Sequence, residues 1–228
     1  MSRFKKYFYL ISFLFLIQSI SCNSFKSGGI AEGEIVYKVT YPNANAMLSS
    51  ILPGEMSMKF KNGMVYSEFS NKMGLFSAFA ISDPQKKTLT QMIKVLNDKK
   101  YFIFDKKGVD KIVADEPKIN IELLPEYKTI LGYKCKKARV TYADDESRKG
   151  YDIYYTKEIA VPKINWWTPL KEIDGVIMEG NLSRYNIVMK LEAKEVIRKE
   201  IEEQVFNVPK DYKMVTQSEI DEIFNNFQ

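Results

Sequence analysis

The chain contains two cysteines, Cys22 and Cys135, and no histidine. That alone removes much of catalytic chemistry. A Ser-His-Asp or Cys-His site needs an imidazole to accept the proton. Histidine-based zinc sites are excluded for the same reason, and two distant thiols do not build a structural one. The phosphate-cradling and nucleophile-elbow glycine patterns are absent. The densest acidic group is Asp144-Asp145-Glu146, and Asp110, Asp115 and Glu116 form a looser one. Clustered carboxylates suit a hard cation. Aspartate also favours turns, and both groups read as solvated loop positions. An enzyme built on these groups would rest on carboxylates alone, so the chain reads as non-enzymatic, with no cofactor.

Cys22 has a different kind of chemistry available. Met1–Lys6 is basic, Tyr7–Ile17 is apolar and aromatic apart from Ser12, and Gln18–Ser21 leads into the cysteine. A basic head, a short apolar centre and small residues before a cut describe a secretory signal over residues 1–21. The apolar run falls short of the roughly 20 residues that span a bilayer. Ser21 directly before Cys22 resembles a bacterial lipobox, although Ser19 stands where leucine is usual. Ser19 and Ser21 also suit an ordinary signal-peptidase cut. The lipobox reading makes Cys22 the lipidation site and residues 22–32 a polar, flexible tether. The protein is then lipid-anchored in the cell envelope and faces the periplasm, at the outer membrane in preference to the inner.

The net charge of +5 comes from 34 basic against 29 acidic residues. Arg3, Lys5 and Lys6 belong to the leader, so the basic balance is largely a targeting feature. No basic-aromatic stretch tracks a phosphate backbone, and nucleic acid is not an expected partner.

Trp166-Trp167 is the apolar feature outside any strand or helix pattern, set between Pro162 and Pro169. Paired tryptophans in a loop would line the mouth of a pocket or lie at a membrane interface. They would equally plug the end of a sheet. Both residues are carried forward as candidate ligand contacts. Met47, Met56, Met58, Met64, Met73 and Met92 crowd the first half. Methionine suits adaptable apolar surfaces and also fills ordinary cores.

These residues must be positioned mainly by strands. Glu34–Tyr41 alternates, with Ile35, Tyr37, Val39 and Tyr41 on one face. Asn62-Gly63 between two strand-like runs is a strong hairpin signal, and Asp83-Pro84 marks another turn. A further aromatic strand ends at Gly108. Residues 109–127, with two prolines, read as a small helix or loop and then an extended piece. Strands flank Asp144–Gly150, and two more flank Gly180-Asn181, with a bulge expected near Glu195. Residues 43–52 suggest a short helix before Pro53-Gly54. Residues 202–215 suggest a short strand and a proline turn. At the end, Ser218 is a candidate N-cap, and Ile220, Ile223, Phe224 and Phe227 share one helical face.

Several phrases occur in a recognisable order: "GEIVYKVTYP", "TILGYKCKKARV", "YDIYYTKEI", "LKEIDGVIMEGNL" and "VFNVPKDYKMV". Together they resemble the GLPGLI family and related domain-of-unknown-function exported proteins of Bacteroidota. "EIDGVIME" stands where the Gly-Leu-Pro-Gly-Leu-Ile segment would lie. It keeps Gly175 and Ile177 but lacks the first glycine and the proline. The strand pattern is similar to the lipoprotein carriers LolA and LolB, in which a curved sheet wraps a few helices and can enclose acyl chains.

The expected fold is therefore mainly β. It is a curved antiparallel sheet or half-open barrel of about nine or ten strands with two or three short helices. Residues 33–228 form one domain ending in an amphipathic helix. The expected role is an envelope lipoprotein holding a lipid or other apolar ligand on the concave face of its sheet. The alternative is a structural or protein-interaction module with a filled core, whose partners are other envelope proteins. Cys135 reads as a small, mostly buried residue near a strand start.

Overall fold

The computed structural model describes residues 29–45, 49, 52–71, 74, 76–145, 147–184 and 187–225. Cys22 and the leader lie outside the described residues. So do Met47, Met73, Glu146 and Phe227, and half of the short helix expected over residues 43–52.

The described residues form one sheet of twelve strands. In chain order these are β1 (Glu32–Thr40), β2 (Glu55–Lys61), β3 (Met64–Ser70), β4 (Phe76–Asp83), β5 (Thr88–Val95) and β6 (Asp98–Phe104). After helix α1 (Lys106–Asp115) come β7 (Ile119–Ile130), β8 (Tyr133–Tyr142), β9 (Tyr151–Thr156), β10 (Val176–Arg184) and β11 (Ile187–Ile197). A 3-10 turn at Glu203–Phe206, the two-residue β12 (Lys213–Met214) and helix α2 (Gln217–Asn225) follow. The spatial order is β12-β6-β5-β4-β3-β2-β1-β11-β10-β9-β8-β7. Neighbours pair antiparallel, except that β12 runs parallel to β6.

The mainly β, curved, unclosed antiparallel architecture agrees with the sequence reading. The strand count does not: there are twelve, not nine or ten. One source of the shortfall is β7, where Pro125, with Pro117 just ahead of the strand, blurs the alternation. Proline is tolerated in β7 because it is an edge strand, and the ladder to β8 shifts register between Leu123 and Tyr127, around Pro125. The other is β12, too short to carry a pattern. Its surroundings also differ from expectation, since residues 203–206 form a 3-10 turn rather than a strand.

The turns follow local chemistry. Asn62 and Gly63 have φ of 52° and 81°, the doubly left-handed pair of a tight hairpin. After β4, the Asp83 carboxylate accepts from the backbone N–H of Gln85 and Lys86, both at 3.0 Å. Three boundaries depart from expectation. The strand expected to reach Gly108 stops at Phe104, because Asp105 caps α1 by accepting from Gly108 N–H at 2.8 Å. Strand β10 runs straight through Gly180-Asn181 to Arg184. The cap of α2 is Thr216 rather than Ser218. Glu219 N–H donates to the Thr216 hydroxyl at 3.3 Å, and Thr216 N–H donates back to the Glu219 carboxylate at 2.9 Å. The bulge expected near Glu195 is present: Val36 pairs with Glu195 and Tyr37 with Ala193, leaving Lys194 as the extra residue. At the other end of the domain, Ile30 bridges to Ile159 and is buried, ahead of β1.

Both faces of the sheet are partly covered. On the outer face, residues 201–212 lie over β3–β6, where Ile201, Phe206 and Tyr212 pack with Tyr66, Phe79, Ile81 and Met92. On the inner face, α2 buries Ile220 against Ile93, and α1 buries Val109 and Ile112 against Leu89 and Phe104. Each such side chain, fully buried, contributes about 1.5–3 kcal/mol.

Candidate functional site

The segment between β9 and β10, residues 157–175, shapes the inner face. It has no strand or helix of its own, yet it supplies side chains to three separate clusters. Ile159, Val161 and Ile164 pack with Ile35, Tyr37 and Phe60 from β1 and β2. Trp166 and Trp167 pack with the Leu89–Phe104 cluster and α1. Leu170 and Ile173 pack with Ala138, Val140 and Ile153 from β8 and β9. The segment thus crosses the sheet from one set of strands to another. Asn165 pins it: its buried amide donates to the carbonyls of Ile173 at 2.8 Å and Gly175 at 2.9 Å. Gly175 has φ of 154°, and a Cβ there would lie 2.6 Å from the Thr156 carbonyl oxygen. The glycine in "EIDGVIME" is therefore required by close backbone approach.

Where this segment ends its crossing, it leaves a cavity of about 190 Å³. One wall is Phe69, Phe76 and Ala78 from β3 and β4, and the opposite wall includes Tyr142, Tyr151, Leu182 and Met189 from β8–β11. Trp167, Pro169 and Leu170 form a third side, and Ile112 with Pro117 adds the end of α1. β4 and β8 are seven strand positions apart. In a flat sheet that is roughly 33 Å at about 4.8 Å per strand. Sharing so small a cavity requires the sheet to curl on itself.

The lining is mostly apolar, and two of its polar side chains are tied to the backbone. The Tyr41 hydroxyl donates to the Pro53 carbonyl at 2.6 Å. The Thr168 hydroxyl donates to the Asn165 carbonyl at 3.0 Å. Burial pushes the phenols of Tyr41 and Tyr151 above their ordinary range, so both stay protonated and neutral.

Of the two candidate tryptophans, Trp167 lines the cavity and Trp166 does not. Trp166 Nε1–H donates to the Ser82 hydroxyl at 2.7 Å, fixing the crossing segment to β4. The described methionines of the first half sit elsewhere: Met56, Met58 and Met92 are buried in core clusters and Met64 packs against one of them, while among the described residues Met189 lines the cavity. Sequence reasoning had no signal for most of the cavity wall, because it is assembled from strands far apart in the chain.

Several charged groups outside the cavity, Asp145 and Asp110 of the acidic clusters among them, are engaged structurally. Asp145 accepts from Ser147 at both its N–H, 3.0 Å, and its hydroxyl, 2.6 Å, a turn that keeps its carboxyl below the usual range. Asp110 pairs with Lys106 along α1. Lys99 pairs with Asp211, and Lys137 with Glu126 at 2.8 Å and Asp152 at 3.4 Å. Among the described residues, no three His, Cys, Asp or Glu side chains converge as a metal site. Cys135 is fully buried in the cluster with β1 and β2, and burial lifts its thiol to about 11. Three residues on, Ala138 is also fully buried, in the other cluster.

No family model matches the chain, and no curated protein matches it. Among solved structures it is similar to PNGF-II. Against the P21 crystal form, 86% of this chain aligns with 34% of that chain at 13% identity and a TM-score of 0.51. Against the C2 form, the figures are 86%, 33%, 14% and 0.49. The chain thus spans about a third of the length of PNGF-II, and at this identity the likeness concerns the fold alone. No helix among the described residues is long and apolar enough to cross a membrane.

Proposed function

We propose that this protein is a non-enzymatic lipoprotein of the bacterial cell envelope that holds a lipid or other apolar ligand on the inner face of a LolA-like sheet. The observation that carries the reading is the apolar cavity of about 190 Å³ between β3–β4 and β8–β11. An apolar void of about 150 Å³ is enough to stay dry and bind benzene, whereas drug-sized pockets run to about 300–1,000 Å³. The cavity therefore suits one slim chain, with the rest of the ligand outside. The kinship with GLPGLI-type exported proteins rests on the ordered phrases quoted above. Anchoring rests on Cys22 and its leader.

Native mass spectrometry of the protein isolated from its envelope tests the ligand: a copurifying apolar adduct is expected, and bare protein that also ignores fatty-chain probes refutes the reading. Replacing Cys22 by Ala should abolish palmitate labelling in cells, and labelling that persists refutes the anchor.

One observation favours the alternative, an interaction module. Edge strand β7 leaves Leu123 60% and Tyr127 50% exposed, with Leu131 beside them at 46%. Crosslinking in cells that captures a stable neighbour through β7, from a protein carrying no adduct, would favour that reading.

A further inference from the structure

The two ends of the sheet carry different things. Strands β1 and β8 end at the cavity, beside Tyr41 and Tyr142, and β7 and β11 start from it, at Ile119 and Ile187. The β5–β6 hairpin, with Leu96 at its tip, turns at that same end, since Val95 pairs with Phe76 of the cavity wall. Gly29 and Ile30, the first described residues, lie at the other end. Ile30 N–H donates to the Glu158 carbonyl at 3.1 Å, and Ala160 N–H donates to the Ile30 carbonyl at 2.8 Å. The β7–β8 hairpin turns beside them, where Lys134 N–H donates to the Glu158 carboxylate at 3.3 Å. Its tip is Leu131-Gly132, with φ of 51° and 84°. Such a turn favours asparagine or glycine at its first position, yet it holds a leucine that is 46% exposed. Exposed Lys128, Lys134 and Lys136 flank this tip. Lys128 pairs with Glu179, and Lys134 lies 4.1 Å over the Tyr127 ring. Lys163 is exposed at the same end, next to Pro162, which faces Gly63 of the β2–β3 hairpin. An apolar tip set among lysines suits the boundary between lipid headgroups and acyl chains.

Chain length decides which end can meet a membrane. Seven peptide steps separate Cys22 from Gly29, and at no more than about 3.5 Å each they reach about 25 Å. Strand β7 covers twelve residues from the cavity end to the hairpin, or roughly 35 Å at about 3.3 Å per residue. A lipid on Cys22 therefore keeps the Gly29 end near the bilayer. The tether is too short for the sheet to stand inverted, with its cavity end on the same surface. We propose that the protein docks on the lipid surface through the β7–β8 hairpin, with Leu131 entering the headgroup layer, the flanking lysines meeting anionic headgroups, and the cavity turned away from that bilayer. This inference rests on the Cys22 anchor proposed above and adds the orientation it imposes. A ligand then enters and leaves on the side opposite the anchoring bilayer.

The test uses the full lipidated chain isolated from the envelope. It is reconstituted in vesicles of mixed phosphatidylcholine and phosphatidylglycerol whose acyl chains carry a nitroxide quencher. A fluorescent thiol label is placed in turn through Leu131→Cys, Leu123→Cys and Leu96→Cys, all at exposed leucines. The unsubstituted chain treated alike gives the background from Cys135, and the mass of each chain reports the lipid on Cys22. Quenching should be several-fold stronger at position 131 than at 123 or 96. Leu131→Gln, read from a label at Thr129→Cys, should cut quenching by about half or more. Vesicles of phosphatidylcholine alone should quench position 131 more weakly. Quenching at 96 that matches or exceeds that at 131 puts the cavity end on the lipid and overturns the orientation. Equal quenching at 123 lays the sheet on its β7 edge and overturns it too. Quenching that ignores both Leu131→Gln and the loss of phosphatidylglycerol overturns the docking, since neither tip nor lysines would be its source. A lipidated chain quenched at no position overturns the docking and leaves the anchor intact. A chain with no lipid on Cys22 overturns the anchor and this inference with it.

Discussion

The two halves of the crossing segment do opposite things with the same kind of residue. From Ile159 to Trp166 it fills the sheet, placing Ile159, Val161 and Ile164 among side chains of β1 and β2 and tying Trp166 to Ser82. From Trp167 to Leu170 it spans the sheet without filling it and leaves about 190 Å³ beneath the β3–β4 and β8–β11 walls. Nothing in local composition separates the halves; both are apolar and proline-flanked. The difference lies in distance to the opposite wall. A curled sheet presents a face that is deep where no side chain reaches across, so core and cavity are one surface with different cover.

The largest effect that sharpens this comparison is truncation on each side of it. Phe104 is 1% exposed and packs edge-to-face on Phe102 at 4.8 Å. Phe104→Ala should cost about 3–5 kcal/mol, read from urea unfolding midpoints. Phe69 borders the cavity. Part of its surface faces empty space and lacks those dispersion contacts, so Phe69→Ala should cost about half as much or less. Equal costs would show that the cavity wall is packed like the core. The tryptophans make the same contrast within two residues. Trp166→Phe removes the bond to Ser82 and should cost about 1–3 kcal/mol. Trp167→Phe should cost under about 1.5 kcal/mol, as a volume-similar apolar swap, and should abolish most of any ligand-induced fluorescence change.

How much of this was legible beforehand depended on whether the signal was local. Asn62-Gly63 and Asp83-Pro84 act within four residues, and both turns are where the sequence placed them. Asp105 is equally local, but it follows an aromatic strand and in sequence reads as its continuation. The Gly180-Asn181 pair shows the opposite failure: a turn-like dipeptide held in the middle of β10 by pairing with Leu191 and Lys190. Long-range pairing there overrides local preference. For the site, the loop position of Trp167 was visible. Its separation in role from Trp166 was not, because that is decided by Ser82, 84 positions away in sequence.

A smaller effect concerns Lys199, which leads into the outer cover, residues 201–212, backing β3–β6 behind the cavity wall. Glu34 is 8% exposed and accepts from Ser57 and Lys199. Burial alone would raise its carboxyl, but the hydrogen bonds from Lys199 and Ser57 outweigh it and hold it below its ordinary value near 4.5. A depressed carboxyl adds stability above its unfolded pKa, and that stability is lost as pH falls through the folded value. Wild type should therefore lose more stability than Glu34→Gln as the pH falls from about 6 to about 3, read from urea unfolding midpoints. Probe affinity at matched temperature should track the cavity walls and not this cover. If acid loosens both together, the filled and open regions are not separable.

The smallest effect uses thiols to read the comparison directly. Cys135 lies in the filled region, fully buried, with its thiol lifted to about 11. The thiolate is the reactive form, so at about pH 8 a disulfide reagent should leave native Cys135 untouched and modify it only after denaturation. Ala78 borders the cavity from β4 and is half-buried. A thiol placed there by Ala78→Cys changes little volume, and it should react in the native state because the cavity admits small molecules. An apolar probe that fills the cavity should slow that reaction and leave Cys135 as silent as before. Protection at Ala78→Cys without a change at Cys135 separates open from filled surface on a single sheet. Reaction at Cys135 in the folded protein would mean that the filled half opens as well, and that the cavity is only its most persistent gap.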